Sequence, residues 1–247
     1  MNRGEGGEEK IMLYQLAILD DDLNDLDVIF NYINHFFSIK SINIKICKYN
    51  NIDDFPKDDE FDILFLDIDM PRKSGFELAR EYKKCHKHTL IIFITNHNEL
   101  VYQACNIHPF DFIRKENLKI EIPVVLEEVI YKLKDLYPTI TFYVNGSAYV
   151  IRKDTICYCE SFNHSTEIHF NQSTIKVNKQ LGDVETSINL NHFMRVGRSY
   201  LVNMKKVIKL EENNLFLEND YKVPISRRKK TKILEYLMEV QGHAHRD

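Results

Sequence analysis

No stretch of about eighteen apolar residues occurs anywhere in the 247-residue chain, so membrane insertion is not expected. Met1–Lys10 is polar, glycine-containing and acidic and lacks the apolar segment of a signal peptide. Residues 1–10 are therefore expected to be a disordered N-terminal segment that directs no secretion. Cysteine is sparse and unpaired: Cys47, Cys85, Cys105, Cys157 and Cys159 are odd in number, scattered and free of any CxxC spacing. That excludes a disulfide framework and fits a reducing, cytoplasmic setting. Internal repeats, low-complexity segments, helix-turn-helix patterns and zinc-ligand spacings are also missing. What remains is 44% hydrophobic and 28% charged. This is the balance of a globular chain long enough for two ordinary domains.

The net charge of −4 averages two unlike halves. Up to Tyr137 there are 17 basic and 25 acidic residues, a net of −8, whereas 16 basic and 12 acidic residues follow, a net of +4. An acidic half joined to a mildly basic one suggests two tasks, the second on nucleic acid.

Patterning divides the chain at the same place. Leu16–Leu19, Ile63–Leu66 and Leu90–Ile94 are near-continuous apolar runs, as expected of strands buried on both faces. Ile42–Cys47 alternates more weakly, and Phe112–Ile113 sits in a short fifth strand. Between them, Leu23, Leu26, Ile29, Phe30, Ile33, Phe36 and Phe37 recur at helical spacing behind the cap candidates Asp21 and Asp22. Ser74-Gly75-Phe76-Glu77 reads as a capping box, and Pro123 stands near the start of a last helix striped with Leu126, Val129, Leu133 and Leu136. Five strands alternating with helices predict an α/β, doubly wound, parallel five-stranded sheet over residues 11–137. After a short linker at 138–140, short β-rich segments separated by turn pairs such as Asn145-Gly146 and Asn219-Asp220 predict a mainly β domain over 141–247. A terminal helix carrying Ile233, Leu237 and Val240 closes it.

In a parallel sheet the carboxyl ends of the strands share one edge, where ligands bind. Asp20-Asp21 follow the first strand, Asp67 the third, Thr95 the fourth and Lys115 the fifth. Three converging carboxylates repel one another, so a hard divalent cation such as Mg²⁺ is their natural partner. A hydroxyl and an ammonium facing that cation suit the oxygens of a phosphoryl group. An Asp at any one strand end also serves as a cap or turn residue; four strand ends with matched chemistry point to a phosphoryl site.

Here the sequence resembles the receiver domains of bacterial response regulators, with their flavodoxin-like fold. The resemblance is carried by Ala17-Ile18-Leu19-Asp20-Asp21, by Leu64-Phe65-Leu66-Asp67-Ile68-Asp69-Met70-Pro71 with Gly75, by Phe93-Ile94-Thr95 and by Phe112-Ile113-Arg114-Lys115. It implies that Asp67 accepts a phosphoryl group from a sensor histidine kinase. It further implies that Asp20, Asp21, Asp67 and the main-chain carbonyl of Asp69 hold Mg²⁺. Thr95 and Lys115 would contact the phosphoryl group, and Phe112 would be the aromatic residue that moves on activation. Two positions depart from the pattern without removing a chemical group: Glu116 stands where proline is usual, and Asn96 where a small residue is common. Asp67-Ile68-Asp69 is also similar to the opening motif of haloacid-dehalogenase-type phosphatases, but there the further acidic ligands come late in the chain. The early Asp20-Asp21 pair and Pro71 favour the receiver, and enzymatic turnover is not expected.

Basic residues of the second half gather at Arg195, Arg198, Lys205, Lys206 and the run Arg227–Lys230, a pattern that neutralises phosphates. Phe193-Met194-Arg195-Val196-Gly197-Arg198-Ser199-Tyr200-Leu201-Val202-Asn203 resembles the signature of LytTR DNA-binding domains. Asp154–Ser161 and Val223–Arg227 match its earlier and later motifs. The resemblance implies a mainly β fold that inserts loops into the major groove of promoter DNA. Contacts would fall on Asn163, His164, Arg198 and Arg227, with Lys205 and Lys206 near the backbone; Asn203 reads equally as a contact or a structural turn residue. The whole implies a cytoplasmic transcription regulator that dimerises on phosphorylation. The reading from another class is a phospho-switched module that binds a protein and no DNA.

Overall fold

The computed structural model describes residues 14–96, 107–171 and 173–243, with the side chains of 240–243 excepted. The expectation for residues 1–10 and the stripe position of Val240 lie outside that range. The chain divides into two compact units, Met1–Leu136 and Tyr137–Asp247.

In the first unit, β1 (Tyr14–Leu19), β2 (Ile44–Tyr49), β3 (Ile63–Asp67), β4 (Leu90–Thr95) and β5 (Asp111–Arg114) form one parallel sheet in the order β2-β1-β3-β4-β5. β3 and β4 are buried along their whole length, whereas β2, an edge strand, alternates between half-buried and exposed residues. The helices are α1 (Leu23–Ile39), α2 (Gly75–Cys85) and α3 (Leu118–Leu136). Asp22 caps α1, its carboxylate accepting from the amides of Asn24 (2.7 Å) and Asp25 (3.2 Å). Ser74 and Glu77 form the expected capping box at α2. Two expectations shift. Leu23, placed on the apolar stripe of α1, is exposed. α3 begins at Leu118, so Pro123 lies inside it rather than near its start. Leu118 and Ile122 are both buried one turn apart, and their packing outweighs the one hydrogen bond a proline cannot donate.

Gly75 has a steric task. A Cβ built there would sit 2.0 Å from the Asp67 carbonyl oxygen, while the Gly75 amide donates to Ile68 O at 2.9 Å. Only glycine allows α2 to start this close to the end of β3.

The second unit opens with a hairpin, β6 (Thr139–Val144) and β7 (Ser147–Arg152), turning through Asn145 (φ 52°) and Gly146 (φ 84°). Both turn residues have positive φ, which is why Asn-Gly suits this hairpin. Thr139 and Ile140, read from sequence as linker, therefore belong to β6. Ile140 and Phe142 alternate inward and need strand pairing to bury. Tyr137 also belongs to this unit, its ring 3.7 Å from the Arg152 guanidinium.

β8 (Ile156–Phe162), β9 (Ser165–Phe170), β10 (Ser173–Val177), β11 (Phe193–Arg195) and β12 (Tyr200–Asn203) form an antiparallel sheet in the order β10-β9-β8-β12-β11. α4 (Leu181–Ile188) connects β10 to β11. β13 (Val207–Glu211), β14 (Asn214–Leu217) and β15 (Lys222–Pro224) form a second sheet, followed by α5 (Lys230–His243). Val202, Met204, Leu215, Leu217, Val223 and Ile233 share one core, which joins the two sheets and α5. Cys157 and Cys159 are both buried, and burial pushes both thiols up, away from the reactive thiolate.

Asn203 corrects an expectation. It is 1% exposed; its side-chain amide donates to the Ile156 carbonyl (2.9 Å) and its oxygen accepts from the Lys205 amide (3.1 Å). It ties the end of β12 to the start of β8 and cannot reach DNA. Asn203→Ala orphans a buried carbonyl, so the β unit should lose about 2 kcal/mol in urea unfolding. A change within about 0.5 kcal/mol, accompanied by weaker DNA binding, would return Asn203 to the contact set.

Candidate functional site

The parallel sheet places three acidic residues at one edge. Asp20 directly follows β1 and is 0% exposed, Asp67 ends β3 at 5%, and Asp21 is exposed. One carboxylate oxygen from each lies within 4.8 Å of the others. Thr95 ends β4 and is buried at the same edge. Lys115 follows β5 in a short 3-10 turn, Lys115–Asn117, that runs into α3. Its ammonium lies 2.8 Å from Asp20 Oδ2, 2.8 Å from Asp25 Oδ2 and 3.3 Å from Asp67 Oδ2.

The electrostatics follow from burial. Asp20 is pushed up to about 6, first by burial and then by the neighbouring Asp67, with Lys115 only partly offsetting them. Burial raises Asp67 as well, again against the pull of Lys115. Burial disfavours the Lys115 charge, but hydrogen bonds to Asp20 and Asp25 and the Asp67 carboxylate outweigh it and raise its pKa. Asp67 Oδ1 accepts from the Ile68 amide at 2.8 Å, and Asp20 Oδ1 accepts from the Asp22 amide at 3.0 Å. These bonds fix both carboxylates and leave each Oδ2 facing Lys115.

This donor set fits a hard divalent cation. Two buried carboxylates crowded by a third, one of them holding its proton to about pH 6, carry excess negative charge that a single lysine leaves incompletely neutralised. The carboxylate of Asp69 is not among the three that converge; this residue sits exposed in the turn after β3. Phe112 is half-buried and stacks on Phe93, ring centroids 5.4 Å apart. Most of the segment between β4 and β5, residues 97–106, lies outside the described residues. Sequence reasoning missed Asp25. It lies on the first turn of α1, close enough to the site for its carboxylate to take the Lys115 ammonium.

In the second unit, three loops meet at one end of the five-stranded sheet. The Asn163-His164 turn, with Asn163 at φ 55°, joins β8 to β9 and is exposed. The bend at Gly197–Ser199 carries exposed Arg198, and the turn Arg227–Lys229 carries exposed Arg227. Backbone hydrogen bonds stitch them together: Ser161 N donates to Ser199 O and Ser226 N to Val196 O, each at 2.8 Å. Arg195 braces the middle loop, donating from Nη1 to the Arg198 carbonyl (2.8 Å) and from Nε to Glu185 (3.0 Å).

Lys205 and Lys206 are not at this end. They follow the last residue of β12, whereas Arg198 precedes its first. Four strand residues at about 3.3 Å each put roughly 13 Å between them. Lys205 is exposed, while the Lys206 ammonium is held by Glu218 at 2.8 Å.

Comparison with known proteins accounts for both units. Residues 17–127 match the response regulator receiver domain family, and residues 146–238 match the LytTr DNA-binding domain family. The chain is similar to the sensory transduction protein LytR of Staphylococcus saprophyticus, with 26% identity over 244 residues, covering 85% of this chain and 93% of that one. It is also similar to the transcriptional regulatory protein NatR of Bacillus subtilis, with 23% identity over 197 residues, covering 78% and 83%. Among solved structures, a response regulator receiver domain protein from Clostridium thermocellum covers 50% of this chain and 99% of its own, with 21% identity and a TM-score of 0.43. Neither a phosphatase nor a module without DNA binding is favoured by these matches. Among the described residues no helix is long and apolar enough to cross a membrane. With a cluster of three carboxylates in a receiver domain and exposed arginines at the loop end of a LytTR domain, the chain belongs to the LytTR-type two-component response regulators.

Proposed function

We propose that Asp67 is the phosphoacceptor of this regulator and that its phosphorylation controls promoter binding by the second unit. The convergence of Asp20, Asp21, Asp67 and Lys115 at the carboxyl edge of the parallel sheet carries this reading. Asp20, Asp21 and Asp67, with the carbonyl of Asp69, would hold Mg²⁺. When bound, the cation neutralises charge on the carboxylates and on the transferring phosphoryl group. An Asp67 oxygen attacks the phosphorus of the kinase phosphohistidine; a P–O bond forms, the P–N bond breaks, and the imidazole leaves with its electron pair. Lys115, already 3.3 Å from Asp67 Oδ2, is placed to pair with an oxygen of the new phosphoryl group. Roughly two added negative charges then draw in the Thr95 hydroxyl, and Phe112 follows. The phosphorylated form self-associates in the cytoplasm, and two LytTR units on paired half-sites gain affinity through avidity. Asn163, His164, Arg198 and Arg227 read the major groove, and Lys205, with Lys206, lies along the phosphates.

Three outcomes are expected. Asp20 binds a proton in the native state that the unfolded chain releases between about pH 4 and 6. Without divalent cation, stability should therefore fall as pH rises through this window, by on the order of 3 kcal/mol. Melting curves in EDTA and in Mg²⁺ test this: Mg²⁺ should flatten the dependence, and identical pH slopes would contradict a cation at Asp20. Asp67→Ala should take up no label from a phosphodonor and show no phosphorylation-stimulated DNA binding; full stimulated binding by that variant would sink the proposal. Arg198→Ala should cost about 1–3 kcal/mol on a matched site and relax sequence preference, while Lys205→Ala should weaken all sequences and lower the salt slope by about one. Equal losses of Arg198→Ala on matched and scrambled duplexes would refute base reading there.

A further inference from the structure

The loop end of the five-stranded sheet carries a residue that the basic pattern does not reveal. Phe162, the last residue of β8, is 51% exposed immediately before the Asn163-His164 turn. Scattered exposed apolar residues are ordinary on protein surfaces, so exposure alone decides nothing. Its setting does. The Phe162 carbonyl accepts from Ser165 Oγ at 2.7 Å, and Phe162 pairs in register with Ser165 to close the hairpin. One residue earlier, the Ser161 amide is bonded to Ser199 O, next to Arg198. The backbone that carries the ring is therefore held at the rim shared by the three loops.

Its companion is a cation. The Lys176 ammonium lies 4.2 Å from the ring centroid, and its nearest carboxylate, Glu167, is only loosely paired at 3.9 Å. A half-exposed aromatic ring beside a lysine, at the rim where Arg198 and Arg227 stand, matches one surface well: a DNA groove, with phosphates beside apolar thymine methyls.

We infer that Phe162 is a further specificity-determining residue of the DNA interface, its ring contacting a thymine methyl while Lys176 neutralises the adjoining phosphate. This rests on the DNA-reading role proposed above and adds an apolar contact to a set that was otherwise polar.

The test uses the full-length chain and a duplex that the wild type enriches from a random pool. Each thymine is replaced in turn by deoxyuridine, which removes only the methyl group. At one or two positions the wild type should weaken about threefold to tenfold, while Phe162→Ala, already weaker on the unmodified duplex by the same factor, should not respond. Phe162→Leu should recover part of the difference. Lys176→Ala should weaken matched and scrambled duplexes alike and lower the salt slope by about one. Unchanged affinity of Phe162→Ala, or an equal deoxyuridine loss in wild type and variant, would overturn the inference while leaving DNA reading by Arg198 intact. Failure of the wild type to enrich any duplex would overturn both. Phe162→Ala should melt with the wild type, because the side chain it truncates is half in water.

Discussion

One buried ammonium shared among carboxylates governs the first unit. Lys115 stands between Asp20, Asp25 and Asp67, and all of them come from separate strand ends or helix starts. No pair of these groups could be buried alone without a large desolvation cost. Together they are tolerable, and the tolerance is incomplete, as the raised pKa of Asp20 shows. That residue of unbalanced negative charge is what a divalent cation would offset. Gly75 belongs to the same constraint, because α2 must begin against the carbonyl of Asp67 for the turn after β3 to close.

The second unit solves a different problem. It keeps its core apolar, ties strand ends with buried side-chain amides such as Asn203, and leaves Arg198 and Arg227 at its loop end exposed. Arg195 shows the division of labour within one short segment: its guanidinium is spent on the protein, holding the bend that presents Arg198 outward. A reader built this way needs few charges, which suits a net of only +4 over 110 residues after Tyr137.

Much of this was legible in the chain. Buried parallel strands show as unbroken apolar runs, so the polar residues that end them, Asp20, Asp67 and Thr95, stand out against a uniform background. The Asn-Gly and capping-box signals are equally local and predict their turns because φ preferences and cap hydrogen bonds act over four residues. Asp25 was not legible: a carboxylate on the first turn of a helix normally answers the helix dipole, and only the arrival of Lys115 from ninety residues away gives it a second partner. Asn203 and Phe162 were misjudged or passed over because burial is not a property of a residue type at a turn. The supposed linker at 138–140 shrank because Ile140 and Phe142 had a hairpin partner that no short window reveals.

The sequence by itself determined the two-domain order, the parallel and antiparallel classes, and the chemical inventory of each half, since these follow from periodicity, local turn chemistry and motif order. Tertiary structure alone decided which groups meet. It set Lys115 among three carboxylates, put Asn203 inside and Phe162 outside, and separated Lys205 and Lys206 from the loops bearing Arg198 and Arg227. The reason is physical: propensity and pattern act along the chain, whereas desolvation and charge pairing act through space, between residues that meet only when the sheet closes.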